Sequence, residues 1–376
     1  MLNRGKQMAT PAKLLTRPPL HQDYFLDDKN RIGHVLGWLQ PKEKLICIIK
    51  YVPGEGFWIA RESSVQYQRV LKSYSLDGQQ DNLKFIANLE KQLVYHSKVF
   101  GADFLAVPIS RIKRYFYPEK RLQEILNKTK LKNELEIKVK ALAKLLKEHL
   151  NIPLENIGIT GSILWKGQTT KSDIDMIIYG NSFAKKFNDD FPAIYEISPE
   201  IKPMPTSKAF RYARSMARKS GLPINLTKKY IARKRWLSVF GKTNLSFVFS
   251  PTKEELPTNY GAELFHALTP IELECTIADA TFGYGYPSLY QITNCTILKG
   301  KDYDLPITRI FSFEGALTGF FETSDRVVVR GLLEKVLPQK EGKESFAQIM
   351  LGSKECAGDE FIIFADDYEE IVAKRK

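Results

Sequence analysis

Two aspartates stand one residue apart in the stretch GITGSILWKGQTTKSDIDMIIYG, residues 158–180. Side chains alternate faces along a strand, so Asp173 and Asp175 would share one face while Ile174 and Met176 point into a core. Two carboxylates about 7 Å apart repel one another, and a hard divalent cation removes that conflict. Since Mg²⁺ is held by one or two carboxylates together with substrate phosphates and water, the pair predicts an open Mg²⁺ or Mn²⁺ site.

A Gly-Ser turn lies upstream of the aspartates and predicts a phosphate site. Gly161 lets the backbone approach a phosphate closely, and the amide and hydroxyl of Ser162 can donate to phosphate oxygens. Ser172 directly precedes the pair and could orient a carboxylate. Two weaker candidates for phosphate contact, Lys166 and Lys171, lie on the intervening loop. Together these residues predict a nucleoside triphosphate held between the turn and the metal.

Gly161-Ser162, ten further residues and Asp173-Ile174-Asp175 together resemble the signature of the DNA polymerase β-like nucleotidyltransferase superfamily. The resemblance implies a mixed sheet with flanking helices and Mg²⁺ on the two carboxylates. It also implies transfer of a nucleoside monophosphate from an NTP to an acceptor hydroxyl, with release of pyrophosphate. A looser similarity, to a group of archaeal predicted nucleotidyltransferases of unsettled substrate, spans most of the chain through DYFLDDKNRIG, KYVPGEGFW, FLAVPISRI and the motif itself.

One departure from that superfamily concerns a third carboxylate. Its active enzymes carry this acid on the neighbouring central strand, where it completes a two-metal arrangement. The candidate strand here is KTNLSFVFS, in which Ser246 and Val248 would face away from the core and no acid occurs. Nearby acids lack the expected apolar-flanked setting: Asp189, Asp190, Glu254 and Glu255. Another carboxylate could substitute, Mg²⁺ could bind without fast chemistry, or the fold could serve binding alone.

Hydrophobic periodicity predicts the elements that position the motif. Apolar residues at steps of three and four predict a helix over residues 133–150, which leads into the motif. IGIT and DMIIY predict strands on either side of the Gly-Ser turn, and LSFVF, residues 245–249, predicts a third strand of the same sheet. A Gly-Ser turn followed by Asp-x-Asp also occurs by chance, but this strand-turn-strand context favours the functional interpretation.

The length of 376 residues predicts a multi-domain α+β protein. We expect a flexible basic tail over residues 1–20 and a small α+β domain over 21–118. A nucleotidyltransferase-type domain over 119–255 would follow, and then a β domain over 256–376. From residue 271 onward, short β-branched runs separated by Gly, Asp, Asn and Pro favour a barrel or sandwich, with the oligonucleotide-binding type as one alternative.

Positive charge is concentrated in residues 201–236, which contain eleven Lys or Arg and no Asp or Glu in a chain of net charge +13. Three arginines at helical steps predict a stripe that contacts phosphates of a nucleic acid or an NTP. The alternatives are a solvated face and a helix that docks on an acidic protein. The residues predicted to bind nucleic acid are Arg211, Arg214, Arg218, Arg233 and Arg235.

Cysteine and hydropathy patterns exclude several classes of protein. The four cysteines lie far apart, without a CxxC pair, which predicts reduced thiols. There is no apolar run long enough to span a membrane and no secretory signal at the start of this sequence, so we expect a cytoplasmic protein without a membrane partner. Nothing in the sequence indicates an oligomeric state.

The predicted function is Mg²⁺-dependent nucleotidyl transfer from an NTP to an acceptor hydroxyl, on RNA or another nucleic acid or polyanion. The competing hypothesis is a non-catalytic nucleic-acid-binding protein that retains the fold, which the missing third acid favours. Retention of both aspartates disfavours it, because carboxylates near a phosphate site are unfavourable unless a cation lies between them. Transfer to a protein or a small molecule would differ only in the acceptor.

Overall fold

The computed structural model describes residues 15–375, which contain three β-sheets that occupy residues 24–116, 157–250 and 263–364. Residues 1–14 of the predicted tail lie outside the described part of the chain. Residues 15–20 pack on the protein: Leu20 is buried, and the Arg17 guanidinium forms ion pairs with Asp23 and Glu119. The multi-domain α+β class predicted from the sequence is therefore observed.

The N-terminal sheet contains seven strands, in the order β5-β6-β3-β2-β1-β7 with β4 paired to β3. One helix, α1, packs on it through Ile86, which is fully buried. The elements are β1 Tyr24–Asp27, β2 Ile32–Val35, β3 Lys44–Ile59, β4 Gln66–Arg69, α1 Leu76–Leu89, β5 Val94–Ser97, β6 Ala102–Pro108 and β7 Ile112–Phe116.

The central sheet is mixed and has the order β10-β11-β12-β9-β8, with β9 parallel to β12 and antiparallel to β8. The LSFVF run lies in β12 directly beside β9, as predicted. The strands are β8 Ile157–Ile159, β9 Ile174–Tyr179, β10 Ile201–Pro203, β11 Ser238–Phe240 and β12 Thr243–Ser250. The helices are α2 Pro118–Leu126, α3 Glu134–Leu150, α4 Gly161–Leu164, α5 Asn181–Asp190, α6 Ala193–Ile197, α7 Thr206–Ser220 and α8 Ile224–Arg233.

Two helices of this region follow from recognisable end signals. The side chain of Asn133 accepts from the amide of Glu136 at the start of α3, and the leucines predicted to face the core are buried. Helix α7 ends at Gly221, whose φ of +68° is a conformation that glycine adopts without strain. The arginine-bearing segment is thus a helix with the predicted carboxyl end.

The C-terminal sheet is curled and mostly antiparallel, in the order β13-β14-β15-β17-β16-β18, with β13 also paired to β16 and with β15 parallel to β17. Its first strand begins at Glu263, well before the apolar run at residue 271 that marked it in the sequence, because residues 263–267 also pair with β16, ahead of a register shift between Ala267 and Pro270. The elements are β13 Glu263–Phe282, β14 Ser288–Lys299, β15 Ile307–Ser312, β16 Arg326–Pro338, β17 Phe346–Leu351, β18 Phe361–Phe364 and α9 Tyr368–Arg375.

The N-terminal sheet contacts both of the other sheets. The Trp38 indole donates to the carbonyl of Pro287 at 3.1 Å, and the ring of His21 stacks on Tyr286 with centroids 4.6 Å apart. The hydroxyl of Thr160, at the end of β8, donates to the carbonyl of Gln22 at 2.9 Å. Among the described residues, no helix is long and apolar enough to cross a membrane.

Candidate functional site

Both aspartates lie at the start of β9, where this strand runs beside β12. Asp173 directly precedes the strand and is exposed, whereas Asp175 is its second residue and is half-buried. Their apolar neighbours Ile174 and Met176 are fully buried, as the alternation predicted. Asp175 stands opposite Ser246 in the parallel register. The carboxylates therefore form a ledge at one end of the central strands.

The Gly-Ser turn lies directly against this ledge. Gly161 has a φ of +65°, and a Cβ added to it would stand 2.1 Å from Oδ2 of Asp175. The amide of Thr160 donates to the carbonyl of Asp175 at 2.8 Å, which fixes the turn to β9. Ser162 follows in the turn and is largely buried. The structure thus brings the predicted turn and the predicted carboxylates together, with space that only a glycine leaves.

A hydrogen-bond chain connects Asp173 to helix α7. The amide nitrogen of the Asn244 side chain donates to Oδ1 of Asp173 at 2.8 Å, and the Lys208 ammonium donates to the side-chain oxygen of Asn244. Sequence reasoning missed Asn244. Its position could have indicated this contact, because Asn244 stands two residues before Ser246 and therefore lies on the same polar face of β12, next to the aspartates.

The pKa of the Asp175 carboxyl is raised above its ordinary value. Burial is the main cause and the neighbouring negative charge of Asp173 adds to it, while the positive charge of Lys50 and a hydrogen bond from Ser246 act in the opposite direction. Without a cation beside it, this carboxyl therefore keeps its proton to a higher pH than an exposed aspartate does. A bound divalent cation would favour the ionised form.

No third metal ligand accompanies the pair: the described residues contain no group of three or more His, Cys, Asp or Glu that could hold a metal. Ser246 occupies the strand position at which the superfamily resemblance places an acid. Three of the four acids considered as substitutes are engaged elsewhere, and Glu254 is exposed. Asp189 and Asp190 pair with lysines of α5, and Glu255 accepts from the backbone amides of Asn181 and Thr252.

The loop between the Gly-Ser turn and the aspartates contributes fewer contacts to the site than we predicted from its sequence. The Ser172 hydroxyl accepts from the amide of Thr169 at 3.0 Å, so it closes a local turn and does not orient a carboxylate. The Lys166 ammonium is 2.6 Å from a carboxylate oxygen of Glu62, which leaves it poorly placed for phosphate. Lys171 is exposed and forms no ion pair within residues 15–375.

Helix α7 flanks the ledge, but its arginine stripe does not face it. Lys208 contacts Asn244, and Tyr212, which is 53% exposed, lies one helical turn further along on the same side of the helix. Successive residues turn by 100° about a helix axis, so the stripe points to solvent, opposite buried Ala213. The stripe consists of Arg211, Arg214 and Arg218, all exposed.

The other two predicted arginines differ from one another in their surroundings. Arg233 donates to the carbonyl of Phe320 at 3.1 Å and lies over the ring of Phe364, so it packs α8 on the C-terminal sheet. Arg235 is exposed and borders a cavity beside α7. The structure therefore gives Arg233 a packing role and leaves Arg235 accessible.

A lysine from the N-terminal sheet also reaches the site, and the sequence analysis did not identify it. Lys50 on β3 is 7% exposed, donates to the Tyr24 hydroxyl at 3.1 Å and lies 5.4 Å from the centroid of the Tyr74 ring. Its charge lowers the pKa of Asp175. A lysine inside the apolar run LICIIKYV was the only signal of this role in the sequence.

Comparison with known proteins leaves the family open. No protein-family model matches the chain, and no solved structure matches it. The chain is similar to an uncharacterized protein of the archaeon Methanocaldococcus jannaschii, with 25% identity over 327 residues that cover 86% of this chain and 93% of that protein. The two proteins therefore align over nearly their whole lengths, and the geometry of the site has to carry the functional argument.

Proposed function

We propose that the protein is a nucleotidyltransferase that uses Mg²⁺ or Mn²⁺ to transfer a nucleoside monophosphate from an NTP to a hydroxyl of RNA or another nucleic acid. The observation that carries this proposal is the contact of the Gly161 turn with the Asp175 carboxylate, with Asp173 beside it at the open end of β9. In this proposal the turn would supply donors to the phosphates and the adjacent carboxylates would bind the cation.

Each residue of the site has a separate task in this proposal. Asp173 and Asp175 would hold the cation, and their donor set of exposed and half-buried carboxylate oxygens suits Mg²⁺ or Mn²⁺. A bound cation would neutralise phosphate charge and polarise the phosphoryl group. Asn244 holds the Asp173 carboxylate in place, and the charge of Lys50 favours the ionised form of Asp175. The amide and hydroxyl of Ser162 would donate to the phosphates.

The arrangement of strands supports the proposal. The mixed β8-β9-β12 core with helices around it is what the superfamily resemblance implies. In the C-terminal region the pairings β13-β14-β15-β17-β16 return to β13, which supports a closed five-stranded barrel, as in oligonucleotide-binding domains. A barrel of that kind would suit a nucleic-acid acceptor.

The second candidate is a nucleic-acid-binding protein without catalysis, and Ser246 is the observation that favours it. A serine opposite Asp175 cannot bind the second metal ion of a two-metal mechanism as a carboxylate does. This candidate shares the arginine stripe and the C-terminal sheet with the first and differs only in the absence of transfer.

The deciding experiment measures transfer of label from each α-labelled NTP to RNA, to protein and to small acceptors, in Mg²⁺ and in Mn²⁺. Asp173→Asn and Asp175→Asn should each reduce transfer by roughly a hundredfold or more. Asp302→Asn, at an exposed loop position, serves as the matched control. Transfer that survives both substitutions would overturn the assignment of the site. RNA binding without transfer under any condition would favour the second candidate.

A further inference from the structure

A cavity of about 670 Å³ lies beside the edge strand β10, between α6, α7 and α8, and the proposed transfer reaction makes no use of it. Its walls are largely apolar and include Tyr195, Met204, Phe210, Ile231 and Leu237. Pockets that bind small ligands have volumes of roughly 300–1,000 Å³ and similar apolar walls. The Phe210 side chain is 41% exposed, which is unusual for a large apolar group and makes its ring accessible from solvent.

Charge around the cavity has a single sign. The residues that line it include Lys228, Lys234 and Arg235 and no acid. The side chains of six cations of residues 201–236 form neither an ion pair nor a hydrogen bond with any described residue: Lys202, Arg211, Arg214, Arg218, Lys228 and Arg235. An apolar cavity among cations without acidic partners fits a ligand that is both aromatic and anionic.

Helix α7 connects the cavity to the aspartates. With 100° per residue, Phe210 lies on the side of the helix that lines the cavity, whereas Lys208 and Tyr212 lie on the side that faces Asp173. The arginine stripe occupies the surface between these two sides. A chain of phosphates that follows the stripe along the helix would therefore pass between the cavity on one side and the carboxylate ledge on the other.

We infer that the cavity binds one unstacked base of a single-stranded nucleic acid whose phosphates lie along Arg211, Arg214 and Arg218. Proteins bind single strands by stacking bases on aromatic side chains and by following the backbone with a basic groove, and both parts are present here. The inference rests on the proposed action on nucleic acid but not on the transfer chemistry at Asp173 and Asp175.

The test measures fluorescence anisotropy of labelled single-stranded RNA dodecamers of uridine and of adenosine, together with a dodecamer of abasic nucleotides. Phe210→Ala should weaken binding of the dodecamers with bases by about tenfold and leave the abasic dodecamer unaffected. Ala232→Trp, which would obstruct the cavity from its exposed wall, should have the same effect. Phe85→Ala on α1 is the matched control, because Phe85 is also 41% exposed.

Changing the three stripe arginines to glutamine should weaken binding of all dodecamers and reduce its salt dependence. The inference would be overturned if Phe210→Ala and Ala232→Trp bound the base-containing dodecamers as tightly as the Phe85→Ala control does. It would also be overturned if these variants lost as much affinity for the abasic dodecamer as for the others. The cavity would then serve a protein segment or another apolar ligand. Binding is measured in EDTA and without NTP, so failure of the proposed transfer activity would be recognised separately.

Discussion

The α-carbon of Gly161 lies against the carboxylate of Asp175, where a single added methyl group would stand 2.1 Å from Oδ2. This distance is far below any real contact of a Cβ atom, and the neighbouring atoms belong to a side chain held on a central strand. Alanine at this position would therefore displace the carboxylate. The contact connects the turn and the proposed metal ligand, so a change in one should be measurable in the other.

Gly161→Ala should abolish Mn²⁺ binding and lower the free energy of unfolding by more than about 2 kcal/mol, because a positive φ is unfavourable for alanine and the methyl group overlaps a buried neighbour. Gly342→Ala is the matched control: its φ is +78°, and an added Cβ would meet no atom within 4 Å. It should cost only the roughly 1 kcal/mol of the backbone conformation. Equal losses in the two variants, with Mn²⁺ binding intact, would contradict the proposed geometry.

Ser246→Asp should strengthen Mn²⁺ binding, since it places a third carboxylate opposite Asp175 in the register of β12 and β9. Titration calorimetry would measure the affinity. Ser246→Asn is the control, because asparagine has nearly the same shape without the charge. If the proposed site is correct, only the aspartate variant gains affinity, by about tenfold or more. The same gain with asparagine would point to a steric effect.

The strands and their faces were predictable because they depend on local alternation. Ile174 and Met176 are buried and Ser246 lies on the polar face of β12, as the apolar pattern indicated. The contact between Gly161 and Asp175 was also within reach, since a turn and a strand close in sequence must lie close in space. These parts of the site could be predicted without knowing which distant residues pack beside them.

Lys50 and Asn244 were not predictable, because their positions depend on how separate elements pack. Lys50 precedes the motif by more than a hundred residues, and only the packing of the N-terminal region on the central one brings its charge near Asp175. The direction in which the arginine stripe points was not predictable for the same reason. Periodicity placed Arg211, Arg214 and Arg218 on one face of α7, but the rotation of the helix was set by its contacts.

Asp175→Asn should stabilise the metal-free protein at pH 7. The pKa of Asp175 is raised in the folded state, so its stabilising effect is complete below the ordinary aspartate pKa of about 3.9 and is lost as the pH rises through the folded value. Asparagine stays neutral and avoids this loss. Thermal unfolding in EDTA should therefore show the variant above the wild type at pH 7 and equal to it near pH 4.

Addition of Mn²⁺ should reverse that order, since the metal binds the ionised carboxylate and raises the unfolding temperature of the wild type alone. If the variant were instead less stable than the wild type at pH 7 in EDTA, burial would not be the main influence on the pKa of Asp175.

Arg17→Ala should lower the free energy of unfolding by about 2–4 kcal/mol, because Asp23 is fully buried and would lose its counter-ion. Arg326→Ala is the control: its ion pair with Glu274 is exposed to solvent, so its loss should change stability much less. Urea unfolding would compare the two. Asp23→Asn in the Arg17→Ala background should recover part of the loss, and a double variant no better than the single one would contradict the electrostatic explanation.

Lys50→Met should change the affinities for metal and for triphosphate in opposite directions. At pH 8, loss of the nearby positive charge removes repulsion of a cation at Asp175, so Mn²⁺ alone should bind about 3- to 10-fold more tightly, while tripolyphosphate should bind more weakly by a similar factor. The pH midpoint of Mn²⁺ binding should also rise, because Lys50 lowers the pKa of Asp175. Lys113→Met, at an exposed position of β7, should change none of these values. A loss of both affinities would mean that Lys50 only supports the packing of its sheet.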